Sequence, residues 1–120
     1  MFLALKIAVG LIAATHVYTM LLEMVLWTGP IGRRTFGMSQ ELADTTAVLA
    51  KNQGFYNGFL VVALVLGLLL PEPLANAFRW YGLGCVFSAG IYGGITAKPS
   101  IFVVQALPAA IALIIAYFAP

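Results

Sequence analysis

Charge is scarce in this sequence. Of 120 residues, 8% are Asp, Glu, Lys or Arg, six basic against four acidic, with one histidine. A soluble domain has about 25% charged residues, so a conventional water-facing surface is not expected. Cysteine is nearly absent. Cys85 stands alone, which excludes an internal disulfide, a CxxC redox pair or a cysteine zinc site, and it reads as a small apolar packing residue. The net charge of +2 comes without a basic tract, so nucleic acid is not an expected partner. Also missing are a P-loop, an HExxH helix, a nucleophile elbow and a glycine-rich dinucleotide fingerprint. No cofactor and no metal are expected, since one His and one Glu seven residues apart are a weak ligand set. The N-terminus lacks a small-residue cleavage pattern, and its first apolar run is too long for a signal peptide.

What is abundant is apolar surface: 62% hydrophobic residues and a mean hydropathy of +1.02. The expectation is an integral membrane protein with one domain, residues 1–120. A membrane helix needs about 20 mostly apolar residues. Four segments qualify, at about 3–27, 51–70, 75–97 and 101–118, so the expected fold is an all-α four-helix membrane bundle. Pro71, Pro73 and Pro99 sit where helices should stop. "TGPIGRRTFGMS" reads as a loop. Ser39 is a candidate N-cap, and "QELADTTAVLA" reads as helix running from about 39 into the second span, partly outside the membrane. Arg33, Arg34, Lys51 and Lys98 lie on the side of the first and third loops, and Lys6 and Arg79 on the other. The positive-inside rule then places the first and third loops in the cytoplasm and both termini outside.

Polar residues inside apolar spans are costly and each requires an explanation. The first span holds His16 and Glu23, two turns apart on one face, with Trp27 close to the same face. In the second, with Asn52 at zero, Tyr56 falls near 40°, Gln53 near 100° and Asn57 near 140°, all about, at 3.6 residues per turn. They form one polar arc, with Gly54 and Gly58 roughly opposite at a spacing that lets helices approach. In the third, Tyr92 and Thr96 share a face, with Gly90 and Gly94 on a small-residue face. In the fourth, Gln105 is the strong polar group, and Ala109, Ala112 and Ala116 continue its face. At about 1.5 Å per residue, Glu23, Gln53, Asn57, Tyr92, Thr96 and Gln105 fall in the half facing the first and third loops. This predicts one intramembrane pocket lined by His16, Glu23, Trp27, Asn52, Gln53, Tyr56, Asn57, Tyr92, Thr96 and Gln105, rimmed by Arg33 and Arg34.

Each residue also has a plainer reading. Gln105 can be interhelical glue, Asn52 a wetted interface residue, and Trp27 an aromatic-belt anchor. Arg33 and Arg34 are a topology signal, with binding of anionic lipid or substrate as the rival. Glu23 would be eased by pairing with His16 or with the amides. His16 can be a buried hydrogen-bonded residue or a proton carrier.

"HVYTMLLEMVLW", "GP.GRRTFG", "LAKNQGFYNGFL", "GIYGGITAKPS" and "VVQALPA", in that order, resemble a family of bacterial membrane proteins of about 120 residues, the domain-of-unknown-function family numbered thirteen hundred and four. The resemblance covers nearly the whole chain. It implies a four-helix protein of the bacterial inner membrane and no established activity. The residues it carries over are His16, Glu23, Trp27, Asn52, Gln53, Tyr56, Asn57, Thr96, Pro99, Gln105 and Pro108.

Three functional expectations result. The first is a pocket for a small apolar, amphipathic or lipid-like ligand in contact with membrane lipid. His16, Glu23 and Tyr56 have the parts for acid–base isomerisation, without a strong catalytic motif. The second is a proton-coupled transporter, similar in architecture to small multidrug resistance proteins, dimeric through Gly54/Gly58 or Gly90/Gly94. The third is a structural or accessory membrane subunit.

Overall fold

A computed structural model of the chain describes residues 1–118, and these are all-α, with no strand among them. There are five α-helices, α1 (Leu3–Met24), α2 (Pro30–Phe36), α3 (Gln40–Leu69), α4 (Leu74–Thr96) and α5 (Leu107–Phe118), with a π-helical turn over Phe102–Ala106 leading into α5. Two of them, α1 and α3, are long and apolar enough to cross a membrane. Each expected span coincides with a helix, but two of the four qualify as membrane-crossing: α4 does not meet the same measure of length and apolarity, and the last is split, its apolar helix, Phe102–Phe118, being shorter.

The split has a local cause. Proline in a helix interior has no N–H to donate and its ring meets the carbonyl four residues back. Ahead of Pro108 the helix widens, and the Leu107 N–H donates to Phe102 O, five residues back. The stretch before α3 corrects the expectation of a plain loop at residues 28–39. Pro30 occupies the first helical turn and Gly37, at φ 63°, closes α2 in the left-handed conformation, where its N–H bonds Arg33 O. Proline early and glycine just past the end are the usual punctuation of a short helix. Ser39 caps α3 as expected, its Oγ accepting the Leu42 N–H at 3.1 Å, and α3 runs unbroken from 40 to 69.

The described residues fall into two compact units. One joins Met1–Ala14 to the chain from Leu60 onward. Its core is Leu5, Val9, Ile12, Ala13, Leu64, Leu83, Val86, Ala109, Ala112 and Ala116. The alanines bring backbones close: a Cβ on Gly90 would lie 2.6 Å from Ala106 N. Arg79, which the sequence marked only as a positive charge on the side opposite the first and third loops, belongs to this unit and is buried. It is 1% exposed. Its Nη1 donates to Gly67 O at 2.9 Å and its Nη2 pairs with Glu72 Oε1 at 2.5 Å. Gly67 makes room, since a Cβ there would meet Arg79 Cγ at 2.7 Å. The hydrogen bond from Arg79 holds the Glu72 carboxyl below the usual carboxylate range.

The other unit is Thr15–Phe59. Here α1 and α3 run antiparallel: Gly58 faces Met20, Gly54 faces Met20, Glu23 and Met24, and Thr46 meets Trp27. A Cβ on Gly32 would lie 2.1 Å from Leu26 O and 2.7 Å from Trp27 Cα, so α2 rests directly on the backbone that ends α1.

Two outcomes are expected. Gly32→Ala should lower stability by about 1–3 kcal/mol or more through overpacking. Gly10→Ala, with nothing within 4 Å of its Cβ, should be neutral or stabilising by about 0.5–1 kcal/mol from helix propensity; melting of both in detergent checks the contrast. Because the Glu72 carboxyl is depressed when folded, its contribution is present above the ordinary value of 4.5 and is lost as pH falls through the folded value. Melting temperature should therefore fall with acidification below about 4.5 in wild type, and less steeply in Glu72→Gln.

Candidate functional site

The residues expected to share one pocket are distributed differently. In the unit of residues 15–59, one pair meets. Asn57 Nδ2–H donates to Glu23 Oε2 at 2.8 Å. Of the two expected partners for Glu23, the carboxylate takes the amide. Its Oε1 has no hydrogen bond among the described residues. Glu23 and Asn57 are both half-buried. His16, on the same helix, is 5% exposed.

The polar arc of α3 is divided. Asn52, Gln53 and Tyr56 are exposed, with Tyr56 at 58%. The Asn52 amide bonds its own helix at Val48 O, 2.9 Å away, and Tyr56 has a ring contact with Phe59, with centroids 5.8 Å apart. The contacts of Asn52 and Tyr56 thus run to their own helix, while that of Glu23 runs to Asn57. Angle explains the division. On the same scale Ala50, Gly54 and Gly58 fall at about 160°, 200° and 240°, and this small-residue face packs on α1. Asn57, at about 140°, lies on its border and is drawn inside. Residues from 0° to 100° are left outside.

Trp27 also finds a partner that the sequence did not pair with it. Its Nε1–H donates to Thr46 Oγ1 at 3.0 Å, and Thr46 in turn donates to Leu42 O at 2.6 Å. The indole stands 4.8 Å from the Phe36 ring of α2, centroid to centroid. The signal for Thr46 was present, since it sits two and three turns before Gly54 and Asn57 on the same face. The rim arginines line a cleft of about 320 Å³ with Pro30, Gly37 and Met38.

In the other unit, Tyr92 is 71% exposed and Thr96, also exposed, donates back to Tyr92 O at 2.7 Å. Both are surface groups. Gln105, half-buried in the π-helical turn, donates to Val86 O at 3.2 Å, the glue role of its plainer reading. The glycine faces expected to join two copies are occupied by the chain itself. Gly54 lies on Met20, Glu23 and Met24, Gly58 on Met20, Gly90 on Ala106 and Gly94 on the Phe102 ring. Among the described residues, no three His, Cys, Asp or Glu side chains converge on one point.

The family model that matches is described as "Protein of unknown function (DUF1304)" and spans residues 10–117, so the match starts at Gly10 and leaves out the first nine residues. The chain is 29% identical over 110 residues to the uncharacterized protein YpaA of Lactococcus lactis subsp. lactis (strain IL1403), covering 90% of this chain and 92% of that protein. No solved structure matches.

The Trp27–Thr46 contact can be tested directly. Trp27→Phe keeps the ring against Phe36 and loses the N–H, and should cost about 0.5–1.5 kcal/mol. Thr46→Val should cost a similar amount, and the double variant less than the sum of the two. Strict additivity in thermal melting would show that the bond contributes nothing.

Proposed function

The chain belongs to the DUF1304 family, and from the geometry of its residues we propose that it is a multi-pass protein of the bacterial inner membrane that binds a small amphipathic ligand at Glu23 and Asn57. Exposure supports the membrane part. Within the apolar windows of α1 and α3, 33% and 22% of residues are buried, whereas the core helix of a soluble protein would be mostly covered. Leu11, Val48, Leu49, Val62 and Leu69 are all more than half exposed. In this reading α4 and the Phe102–Phe118 helix also cross, giving the four-helix bundle. The first and third connections face the cytoplasm and both termini lie outside.

The observation that carries the functional part is the 2.8 Å contact between Glu23 and Asn57 in an otherwise apolar setting. An ionisable group inside a span marks a functional site by default. Asn57 fixes one carboxylate oxygen of half-buried Glu23 and leaves the other without a donor among the described residues. Such an acceptor suits a ligand that brings its own donor, a hydroxyl or an ammonium group, on an apolar body that lies along α1. No oxidant, metal or nucleophile is needed for binding.

A second reading has its own support. Glu23–Asn57, Trp27–Thr46 and Gln105–Val86 O are polar groups satisfied within the chain, as in an accessory subunit whose polar residues only specify packing.

Glu23→Gln separates the two readings. It keeps the size and the acceptor oxygen for Asn57 but removes the charge. If Glu23 holds a ligand, native mass spectrometry of purified protein should show a co-purified or added amphipathic amine retained by wild type and weakened about 10–100-fold in the variant, the range for a hydrogen bond to a charged group, with melting little changed. Equal retention accompanied by a lower melting temperature would select the accessory reading.

A further inference from the structure

The second region of uncommitted polarity is the cleft at α2. Arg33 is held in place: its Nε–H donates to Thr28 O at 3.2 Å, which leaves both terminal amino groups to point elsewhere. Arg34 is exposed and has no hydrogen bond or ion pair among the described residues. The acidic side chains of the same unit do not neutralise them. Glu23 is bound by Asn57, Asp44 accepts from Gln40 at 2.8 Å, and Glu41 is exposed with no ion pair. Two adjacent guanidinium groups therefore face a cleft of about 320 Å³ whose other walls are Pro30, Gly37 and Met38. Guanidinium is the side chain best shaped for phosphate, through paired N–H donors.

Position and surroundings select the source of the phosphate. Only the five residues 25–29 lie between the end of α1 at Met24 and the start of α2 at Pro30, a tight turn in which Leu26 O accepts both the Gly29 and Gly32 N–H groups at 3.2 Å. So α2 lies just past the end of a candidate span. Outside the cleft's own lining, α2 and the turn before it carry exposed apolar side chains: Val25 at 70%, Ile31 at 50% and Phe36 at 44%. A short element with arginines beside exposed apolar side chains is built for the boundary between headgroups and acyl chains. A free phosphate ester would use the arginines and leave the apolar side chains in water. A phospholipid uses both.

We infer that Arg33 and Arg34 form a binding site for the phosphate of an anionic phospholipid, whose acyl chains lie against Val25, Ile31 and Phe36. The inference rests on α1 and α3 lying in the membrane, but not on any ligand at Glu23. Arg34 supplies a free fork, and Arg33 a fork aimed by Thr28 O. The site gives the protein a preference among lipids and fixes the depth at which α2 sits.

The test uses full-length protein in neutral detergent, titrated with phosphatidylglycerol and phosphatidylcholine and read by native mass spectrometry. Wild type should retain phosphatidylglycerol in preference, and Arg33→Gln and Arg34→Gln should each reduce that preference about fivefold, the effect of one basic residue near an anionic surface. Lys51→Gln and Lys98→Gln should leave it unchanged, and glycerol 3-phosphate should not displace the lipid. The proposal is overturned if the arginine variants keep the wild-type ratio, if the lysine variants lose as much, or if glycerol 3-phosphate competes at the same concentration as the lipid. Phosphatidylcholine retained equally by all variants with no anionic preference would refute the site and leave the membrane reading standing. Retention of neither lipid would refute both.

Discussion

Between residues 15 and 59, the structure depends on how closely two backbones can approach. On α3 the inner face is Ala43, Thr46, Ala50, Gly54 and Gly58, and at Gly54 even one methyl group would strike Met24. Dispersion contacts and hydrogen bonds are both steep in distance, so what the two helices gain from each other depends on this close approach. The absent side chain at Gly54 brings the two helices close enough for Asn57 to reach Glu23, and the same packing lets Trp27 reach Thr46. Polar chemistry here follows from small residues.

The same logic orders the other unit. Ala106, Ala109, Ala112 and Ala116 are buried, and Gly90 and Gly94 receive the segment before α5. Pro108 forces a wider turn, and that turn presents Gln105 to the Val86 carbonyl. An amide that looks like an isolated cost in an apolar run is satisfied by a backbone oxygen that already has a helical partner and retains a second lone pair.

Much of this was legible in the residues. Apolar runs bounded by Pro71, Pro73 and Pro99 gave helices close to the observed ones, Ser39 capped α3, and the alanine period of the last helix marked its buried face. What failed has physical causes. Helical phase gives the angle between two residues but not which side faces inward, so it did not show that Asn57 alone of the arc from Asn52 to Asn57 is half-buried while the rest is exposed. The small residues carried the missing sign, because in a membrane helix the Gly/Ala face is the packing face. Short α2 was hidden by its arginines and glycines, although Pro30 and Gly37 stood at the two positions that bound a helix. Pairings such as Trp27 with Thr46 depend on the register between helices, which a single sequence does not encode in any local pattern.

Arg79 ties three separated positions into one inherited unit. Its chain occupies the space left by Gly67, one arm bonds the Gly67 carbonyl, and the other meets Glu72. A side chain at 67 displaces the arginine, loss of Glu72 leaves a buried cation with one backbone partner, and loss of the arginine leaves an unfilled space beside a glycine that weakens its helix. No single substitution among the three is neutral, so lineages can cross from this arrangement to another only by changing the set together. The demands on the turn between α3 and α4 thus come from packing and from charge burial, and they would hold whether or not the protein bound a ligand.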